Sequence, residues 1–206
     1  MDLISELKKN GYKTIAYIDE VGRGCLFGDV VACALVIDEN SPIEGVKDSK
    51  KLSMKKREQL YIQILEKSQG YGIGRMDAKT IDNVNIKQAT RMAMKMAIDN
   101  IADKDGNKIV PDYILIDAEE IDTHIPQKGI IDGDNLIYGI SAASIVAKVY
   151  RDTLCLALEE EYPGYKISKN KGYGTKEHIE GLLELGATSN HRSTFVKKIL
   201  EGKKWI

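Results

Sequence analysis

Apolar residues along the chain recur with two periods, which predict strands and helices in alternation. Residues 15–18 and 30–37 are nearly continuous apolar runs, typical of buried strands joined as antiparallel neighbours by the loop between them. Ser53, Asp77 and Thr175 stand where helix N-caps belong. Further strands are expected at 71–76 and 113–116, and helices at 2–9, 54–67, 77–102, 139–160, 176–185 and 191–200, whereas 119–138 has the composition of a loop. This order of elements indicates an α/β fold.

Carboxylates stand at the ends of two predicted strands. Asp19 and Glu20 end the first strand, immediately before Gly22-Arg23-Gly24, and Asp117 ends the strand at 113–116. An isolated acid at a strand end is more often solvated or a helix cap. Ligand sites of open sheets gather at strand ends, however, and buried carboxylates need a positive partner. Together these acids favour a cation site.

The kind of donor indicates which cation. The acids have no matching cysteine or histidine cluster, because His124, His178 and His191 are scattered along the chain and are expected at the surface or in packing. Oxygen donors favour Mg²⁺ or Mn²⁺ over zinc. Two such ions about 4 Å apart support phosphodiester hydrolysis. The paired acids of a glycosidase are the alternative, but Lys-rich loops beside them suit a phosphate better than a sugar.

Three further features indicate what surrounds this cation site and what could bind to it. The helix at 139–160 carries one polar stripe among small and apolar residues, and we expect it to face the site rather than solvent. The stripe consists of Ser141, Ser144, Lys148 and Asp152. The segment 47–57 is rich in Lys and Arg, which indicates either a solvated face or a surface for phosphates. The loop 168–175 is basic and glycine-rich around Tyr173.

Composition sets limits on the function. The chain has 206 residues, 43% hydrophobic and 30% charged, which is typical of a globular domain with a sizeable core. The net charge of -1 gives no global sign of nucleic-acid binding, so such an interface must rest on local patches. Three cysteines without a disulfide pattern, and no apolar run of signal-peptide or membrane-span length, predict a cytoplasmic protein without a membrane partner.

Six sequence segments occur along this chain in an order that is known from one protein family. They are DEVGRG with GDVVACALVI, KDSKKLS, ILID, ISAASIVAKVYRD, KGYGT and GATSNHRSTF, and they span nearly the whole chain. In order and spacing they resemble ribonuclease HII. The resemblance implies one catalytic domain, with a ribonuclease H-like mixed β-sheet flanked by helices in residues 1–160 and a helical C-terminal extension in 161–206.

The resemblance also implies an activity. The expected protein is a monomeric endonuclease that hydrolyses the RNA strand of RNA–DNA hybrids by two-metal-ion catalysis with Mg²⁺ or Mn²⁺. It would also nick duplex DNA on the 5′ side of a single embedded ribonucleotide, leaving a 3′-hydroxyl and a 5′-phosphate. Such a cut belongs to ribonucleotide removal in DNA repair and replication.

The resemblance implies a role for each residue that matches a functional position of the family. The metal-binding, catalytic acids correspond to Asp19, Glu20, Asp117 and Asp134; Asp134 is chosen over Asp132 because it lies seven residues before the SAAS segment. Gly22, Arg23 and Gly24 correspond to the loop that reads the ribose 2′-hydroxyl. Tyr173 corresponds to the aromatic that packs on the adjoining deoxynucleotide's sugar. Phosphate or supporting contacts are expected from Lys50, Ser144, Lys148 and Lys171.

Three positions depart from the family's pattern. Cys25 and Asp29 stand where Pro is common, and we expect these two changes to alter loop stiffness only. Asp132 stands where Lys is usual, two residues before Asp134, so the local charge changes by two units. We expect this change to shift the metal requirement toward higher divalent-ion concentration or toward Mn²⁺.

Two other interpretations stay open. One is a ribonuclease of the HIII type, which acts on long hybrids; that family carries an extra N-terminal domain, for which this length leaves no room. The other is a duplex-binding protein that has lost its chemistry, against which the intact acids argue. No clear sliding-clamp motif is present in residues 197–206.

Overall fold

The computed structural model describes residues 2–46 and 52–202. Its strands are β1 (Ile15–Val21), β2 (Val30–Val36), β3 (Gly70–Met76), β4 (Tyr113–Asp117) and β5 (Gln127–Ile130). Its helices are α1 (Leu3–Lys9), α2 (Met54–Lys67), α3 (Ala78–Val84), α4 (Ile86–Asp99), α5 (Gly133–Leu136), α6 (Tyr138–Glu161), α7 (Ile167–Asn170), α8 (Lys176–Leu185) and α9 (Ser193–Leu200). The strands of the described part form one mixed sheet in the order β3-β2-β1-β4-β5.

The pairing of β1 decides where the strand ends lie. The short loop after β1 returns β2 antiparallel beside it, and β3 pairs antiparallel with β2 in turn. On its other side β1 pairs in parallel with β4, with Ile18 opposite Ile116. Because parallel strands end at the same edge, the acids that follow these two residues emerge together.

Helices cover both faces of the sheet, so β1 and β2 are buried on each side. Tyr17 belongs to a core cluster shared with α1, α2 and α6, whereas Ala16 and Ile18 belong to a cluster shared with α4. Strands that bury both faces show continuous apolar runs instead of alternation. This packing explains why the sequence of β2 contains no polar residue.

Glycines on β3 allow α4 to approach the sheet at backbone distance. A Cβ atom at Gly74 would lie 2.6 Å from the backbone nitrogen of Ala97 and would overlap the carbonyl oxygen of Ala93. Real Cβ atoms do not approach backbone atoms so closely. The inner face of β3 is therefore shaped by the absence of side chains.

Most predicted elements are confirmed within a residue or two. Helix α8 has the predicted bounds, and its N-cap Thr175 accepts from the backbone nitrogen of His178 at 3.4 Å. Helix α2 begins after Ser53 as expected. Cys25, Cys33 and Cys155 are buried free thiols, as their sequence pattern predicts.

Two predicted elements are wrong. The single helix at 77–102 is two helices, because Asn85 has φ +70° and its side chain caps α4 by accepting from the backbone nitrogens of Lys87 and Gln88. The expected loop at 119–138 contains β5 and α5. Four residues reading QKGI are too short and too polar to be recognised as a strand without their pairing partner β4.

Some expectations are left without a structural test. Residues 47–51 and 203–206 lie outside the described residues, and with them Lys50 and most of the basic loop. The division into a core of 1–160 and an extension of 161–206 stays a prediction. None of the helices in the described ranges is both long and apolar enough to cross a membrane.

Gly74→Ala is expected to lower the free energy of unfolding by about 1–3 kcal/mol, because the added methyl group forces α4 away from β3. Urea unfolding followed by circular dichroism measures the change. Lys95→Ala, on the exposed side of the same helix, serves as the control and is expected to stay within about 0.5 kcal/mol of the parent protein. Equal effects of the two substitutions would contradict the close approach.

Candidate active site

A pocket of about 290 Å³ opens at the edge of the sheet where β1 and β4 end. The four predicted acids all line it, and we call it the acid pocket: Asp19, Glu20, Asp117 and Asp134. Most predicted substrate contacts line it too, namely Gly22, Arg23, Gly24, Ser144, Lys148 and Tyr173. The structure thus brings together residues that are up to 154 positions apart, from Asp19 to Tyr173.

Backbone geometry brings Asp134 to the other acids. Helix α5 begins at Gly133, whose backbone nitrogen donates to Oδ1 of Asp117 at 2.7 Å. The hydroxyl of Ser141 donates to the carbonyl oxygen of Asp134. Asp134 is therefore held between the end of β4 and the start of α6.

The acid pocket buries negative charge. Asp19 is only 4% exposed, and its Oδ1 accepts from the backbone nitrogen of Glu20 at 2.7 Å. Burial raises the pKa of Asp19 well above its ordinary value, with Glu20 and Asp117 adding to the effect and a hydrogen bond from Ser144 opposing it. Burial also raises the pKa of Glu20, against the opposing charge of Arg23.

Arg23 lies between two carboxylates. Its Nη1 is 3.3 Å from Oε1 of Glu20 and 3.4 Å from Oε1 of Glu119, and Oε2 of Glu119 is in turn 3.2 Å from Nε of Arg91. Sequence reasoning missed Glu119 and Arg91. The signal available for Glu119 was its place two residues after Asp117.

Two of the four residues in the polar stripe of α6, Ser144 and Lys148, line the acid pocket, as predicted. Ser144 hydrogen-bonds with Asp19, and Lys148 lines the pocket while its Nζ pairs with Oδ1 of Asp152 at 2.7 Å. Arg57, from the predicted basic segment, lines the same pocket. Cationic side chains therefore stand beside the acids.

Two buried arginines that the sequence analysis missed hold the loops around the acid pocket. Arg151 donates from Nε to the carbonyl of Asp29 at 2.9 Å, from Nη1 to that of Lys171 at 2.7 Å and from Nη2 to that of Phe27 at 3.1 Å. Its guanidinium also packs against Gly22, which has φ +94° and leaves no space for a Cβ atom.

Arg192 completes this arrangement from the C-terminal side. Its Nε and Nη2 donate to the carbonyl of Gly28 at 3.0 and 2.8 Å, and its Nη1 donates to that of Arg23 at 2.9 Å. Both arginines are at most 2% exposed. They are positioning residues for the loop 22–29.

Lys171 and Cys25 make contacts that the sequence did not indicate. Lys171 does not line the acid pocket; its carbonyl oxygen accepts from Arg151 and from Sγ of Cys25, the latter at 3.5 Å. Cys25 also hydrogen-bonds with the side chain of Tyr173. The expectation that Cys25 alters loop stiffness only stays a prediction, to which the structure adds a contact of the thiol with the aromatic residue of the pocket.

Two of the three histidines are not scattered in space. Nε2 of His178 and Nε2 of His191 are 3.2 Å apart in the buried interior, whereas His124 is exposed. The expectation of a packing role holds for this pair, but the contact itself was not visible in the sequence.

The donor set of the acid pocket fits a hard divalent cation. Oε2 of Glu20 is buried and has no hydrogen-bond partner among the described residues, which a cation would supply. As the side chains stand, no three His, Cys, Asp or Glu side chains of the described ranges form a ready metal-binding group. Facing carboxylates repel one another, and a cation between them removes that repulsion.

Comparisons with known proteins cover nearly the whole chain. The family model for ribonuclease HII matches residues 16–199. The ribonuclease HII of Alkaliphilus oremlandii (strain OhILAs) is 58% identical over 200 residues, covering 97% of this chain and 98% of that protein. The structure of ribonuclease H2 from Pyrococcus horikoshii OT3 is similar with a TM-score of 0.77 at 26% identity, covering 93% of this chain and 99% of that one.

One further solved structure is similar to this chain in its fold. Bst ribonuclease HIII in complex with Mn²⁺ is similar with a TM-score of 0.63 at 19% identity, covering 94% of this chain and 71% of that one. These likenesses confirm the expected ribonuclease H-like fold, a mixed sheet flanked by helices.

Asp19→Asn is expected to raise the free energy of unfolding in the presence of a chelator by about 1 kcal/mol, because it removes a buried charge that neighbouring acids repel. Asn keeps an oxygen that accepts from the Glu20 backbone. Urea unfolding measures the change, with Asp105→Asn at an exposed turn as the control. A loss of stability in Asp19→Asn would contradict the assignment of a charge-strained pocket.

Proposed function

The chain belongs to the ribonuclease HII family, a family of nucleases that act on RNA–DNA hybrids, and we propose that it nicks duplex DNA on the 5′ side of single embedded ribonucleotides. The observation that carries this proposal is the composition of the acid pocket. Four carboxylates lie beside the Gly22-Arg23-Gly24 loop and Tyr173 in one opening. A site for hydrolysis and a site for reading one sugar are thereby adjacent.

Asp19, Glu20, Asp117 and Asp134 are proposed to hold two Mg²⁺ or Mn²⁺ ions. The unpartnered Oε2 of Glu20 and the raised pKa of Asp19 support this, since Arg23 reaches only Oε1 of Glu20 and burial disfavours the charge of Asp19. Bound ions of this kind lower the pKa of water and stabilise charge on phosphoryl oxygens. The ribonuclease HIII that binds Mn²⁺ shares the fold, and this agrees with the proposal.

The loop 22–24 is proposed to recognise the ribose. Gly22 and Gly24 both line the acid pocket, Gly24 as an exposed residue, and the 2′-hydroxyl both donates and accepts hydrogen bonds. Arg192 holds the carbonyl of Arg23, so the loop is ordered before the substrate binds. A preordered loop loses less conformational entropy on binding.

Tyr173 is proposed to stack on the sugar of the adjoining deoxynucleotide. Its ring stands close to the loop, because a Cβ atom at Gly24 would lie 4.0 Å from Cε1 of Tyr173. The side chain is 39% exposed and thus accessible from the pocket. A hydroxyl group added to that sugar would crowd the ring, which favours DNA at this position.

Lys148 and Arg57 are proposed to contact phosphates at the side of the acid pocket. The amino group of Lys148 is held by Asp152 and so points in a defined direction. Ser144 supports the reaction by holding Asp19. The predicted contacts of Lys50 and Lys171 receive no support from the described contacts and stay predictions.

The proposed reaction is hydrolysis of one phosphodiester bond. A water oxygen bonds to phosphorus while the bond from phosphorus to the upstream 3′ oxygen breaks. The water loses one proton, and the departing 3′ oxygen takes up one proton. The products are a 3′-hydroxyl on the upstream deoxynucleotide and a 5′-phosphate on the ribonucleotide.

We propose that the protein acts as a monomer in the cytoplasm, in ribonucleotide removal during DNA repair and replication. Three buried free thiols agree with a reducing compartment.

Cleavage of a labelled DNA duplex that carries one ribonucleotide tests the proposal. With Mg²⁺ or Mn²⁺ we expect one cut 5′ of the ribonucleotide, none with EDTA, and none in an all-DNA duplex. Asp19→Asn is expected to lower the rate by about a hundredfold or more, and Asp105→Asn to leave it unchanged. Cutting of long hybrids alone would favour the ribonuclease HIII interpretation, and binding without any cut would favour a protein that has lost its chemistry.

Asp132→Lys tests the proposed effect of the unusual acid. Asp132 is exposed, and its Oδ1 accepts at 2.6 Å from Nδ2 of Asn135, which also lies 3.2 Å from Oδ1 of Asp134. Because this substitution restores the residue usual in the family, the hypothesis predicts half-maximal activity at a lower Mg²⁺ concentration and a smaller advantage of Mn²⁺, whereas simple repulsion of the cation by the added positive charge would raise that concentration. Asp122→Lys at another exposed site is the control. Identical metal titrations for parent and Asp132→Lys would contradict the hypothesis.

A further inference from the structure

A pair of buried histidines connects the two loops that border the acid pocket. His178 is 0% and His191 is 2% exposed, and their Nε2 atoms are 3.2 Å apart. Nδ1 of His178 is 2.9 Å from the carbonyl oxygen of Tyr173, and Nδ1 of His191 is 3.0 Å from the backbone nitrogen of Thr188. We call these two residues the histidine pair.

The partners of the histidine pair determine where its hydrogens lie. The backbone nitrogen of Thr188 only donates, so Nδ1 of His191 accepts and carries no hydrogen. The carbonyl of Tyr173 only accepts, so Nδ1 of His178 carries a hydrogen and donates. In neutral rings Nε2 of His191 then donates to Nε2 of His178. One hydrogen lies in the contact, and all four ring nitrogens have partners.

An added proton disturbs this arrangement. On His178 it would place two N–H groups against each other at the Nε2 contact. On Nδ1 of His191 it would place an N–H group against the backbone N–H of Thr188, and only the Thr188 hydroxyl oxygen, 3.0 Å away, could accept it. This hydrogen-bond pattern therefore belongs to the neutral pair.

Each histidine is anchored to a different side of the acid pocket. The backbone around His191 is bonded to the segment after the Gly-Arg-Gly loop, from Gly28 nitrogen to the carbonyl of Asn190 and from Arg192 nitrogen to the carbonyl of Leu26, each at 2.8 Å. His178 holds Tyr173 through its carbonyl, which also accepts from the Thr175 nitrogen at 2.8 Å. The pair thus spans from residues 26–28 to Tyr173.

Aromatic rings surround the pair. Phe27 lies 4.9 Å and Tyr165 4.8 Å from the His191 ring, measured between centroids. Burial lowers the pKa of both imidazoles, that of His191 to about 4 with His178 contributing. The titratable side chains near the pair are Tyr165, Tyr162 and Cys155, which belong to the same cluster as Phe27. The neighbouring charged group is the guanidinium of Arg192. The contacts described for the two rings include no carboxylate.

We propose that His178 and His191 are positioning residues, which as a neutral pair set the distance between Tyr173 and the Gly22-Arg23-Gly24 loop and thereby the enzyme's selectivity for a ribonucleotide followed by DNA. The inference rests on the proposed function, because selectivity at the junction is its readout. Neither histidine lines the acid pocket, so their effect is exerted through Tyr173.

Two substitutions at His178 separate this role from simple packing. Asn places an amide N–H where Nδ1–H stands and keeps a donor for the Tyr173 carbonyl, whereas Leu fills the space without one. The measurement is kcat/KM on a duplex with one ribonucleotide divided by kcat/KM on a duplex with a stretch of ribonucleotides. We expect His178→Leu to lower this ratio by about tenfold, mainly through KM for the junction substrate, and His178→Asn to restore most of it.

The exposed His124 offers the matched control, since His124→Leu changes the same residue type without touching the pair and is expected to leave the ratio unchanged. A folded His178→Leu variant with the ratio of the parent would overturn the proposal. Equal losses in the Asn and Leu variants would do the same, because they would indicate packing alone.

Nitrogen NMR of the parent protein tests the pair without substitution or substrate. At about pH 7 we expect neutral rings, with the hydrogen on Nδ1 of His178 and on Nε2 of His191. Reversed tautomers or a charged ring at this pH would overturn the proposal. Should His178→Leu fail to fold, the pH dependence of the parent's selectivity ratio decides the question.

The direction of that pH dependence follows from the lowered pKa values. A histidine whose pKa is lower in the folded than in the unfolded state is neutral in the fold at neutral pH, and stability is lost as the pH falls from about 6.5 toward 4. We expect the selectivity ratio to stay constant until the NMR signals show protonation and then to fall with them. A ratio that stays constant through protonation of the pair would overturn the proposal.

The two proposals fail in different ways. Absence of any metal-dependent cut by the parent protein would refute the proposed function, and the selectivity role with it, while the tautomers would still be found as described. Normal cutting with altered tautomers, or with an unaffected ratio in His178→Leu, would refute only the inference on the histidine pair.

Discussion

Two buried guanidinium groups determine how the loops of this protein are arranged. Arg151 comes from α6 and Arg192 from the segment before α9, and between them they donate to carbonyl oxygens of the loop 22–29 and of Lys171. Backbone carbonyls alone satisfy a buried guanidinium only if several converge on its rigid planar fork. The requirement works in both directions, because the carbonyls of a loop without secondary structure need donors as well. The conformation of the Gly-Arg-Gly loop is therefore coupled to the folding of the C-terminal helices.

Negative charge in the acid pocket imposes the opposite requirement. Asp19 and Asp117 lie at the same edge of the sheet. Burial disfavours the charged form of Asp19 and so raises its pKa. Arg151 and Arg192 donate to several carbonyls of the neighbouring loops, whereas the acids receive less positive charge, since Glu20 shares Arg23 with Glu119. Unneutralised charge is costly for stability and useful for binding cations. The cost is concentrated where the function is expected.

Buried ionisable groups in this protein thus follow three rules, set by their partners. Arg192 donates to surrounding carbonyls, and burial lowers its pKa only to about 10. Histidines stay neutral because each partner of the pair assigns one hydrogen position. Carboxylates at the strand ends are left for a cation. The small net charge of the whole chain conceals this separation into a pocket of acids, buried arginines and a neutral histidine pair.

The sequence by itself determined the features that local chemistry decides. Period and composition predicted β1, β2 and the strand-end acids, N-cap residues located α2 and α8, and the spacing of polar residues on α6 predicted the stripe that meets Asp19. These depend on residues a few positions apart. Motif order further indicated the family, which the comparisons confirm.

Only the tertiary structure decided the contacts between distant segments. Strand β5 is recognisable only beside β4, and Asn85 divides a pattern that is otherwise helical throughout. Arg151 reaches carbonyls 122 and 124 residues away, and His178 meets His191 only because the chain turns back between α8 and α9. A side chain's hydrogen bonds over such separations depend on the packing of whole elements, and no local pattern of residue types encodes them.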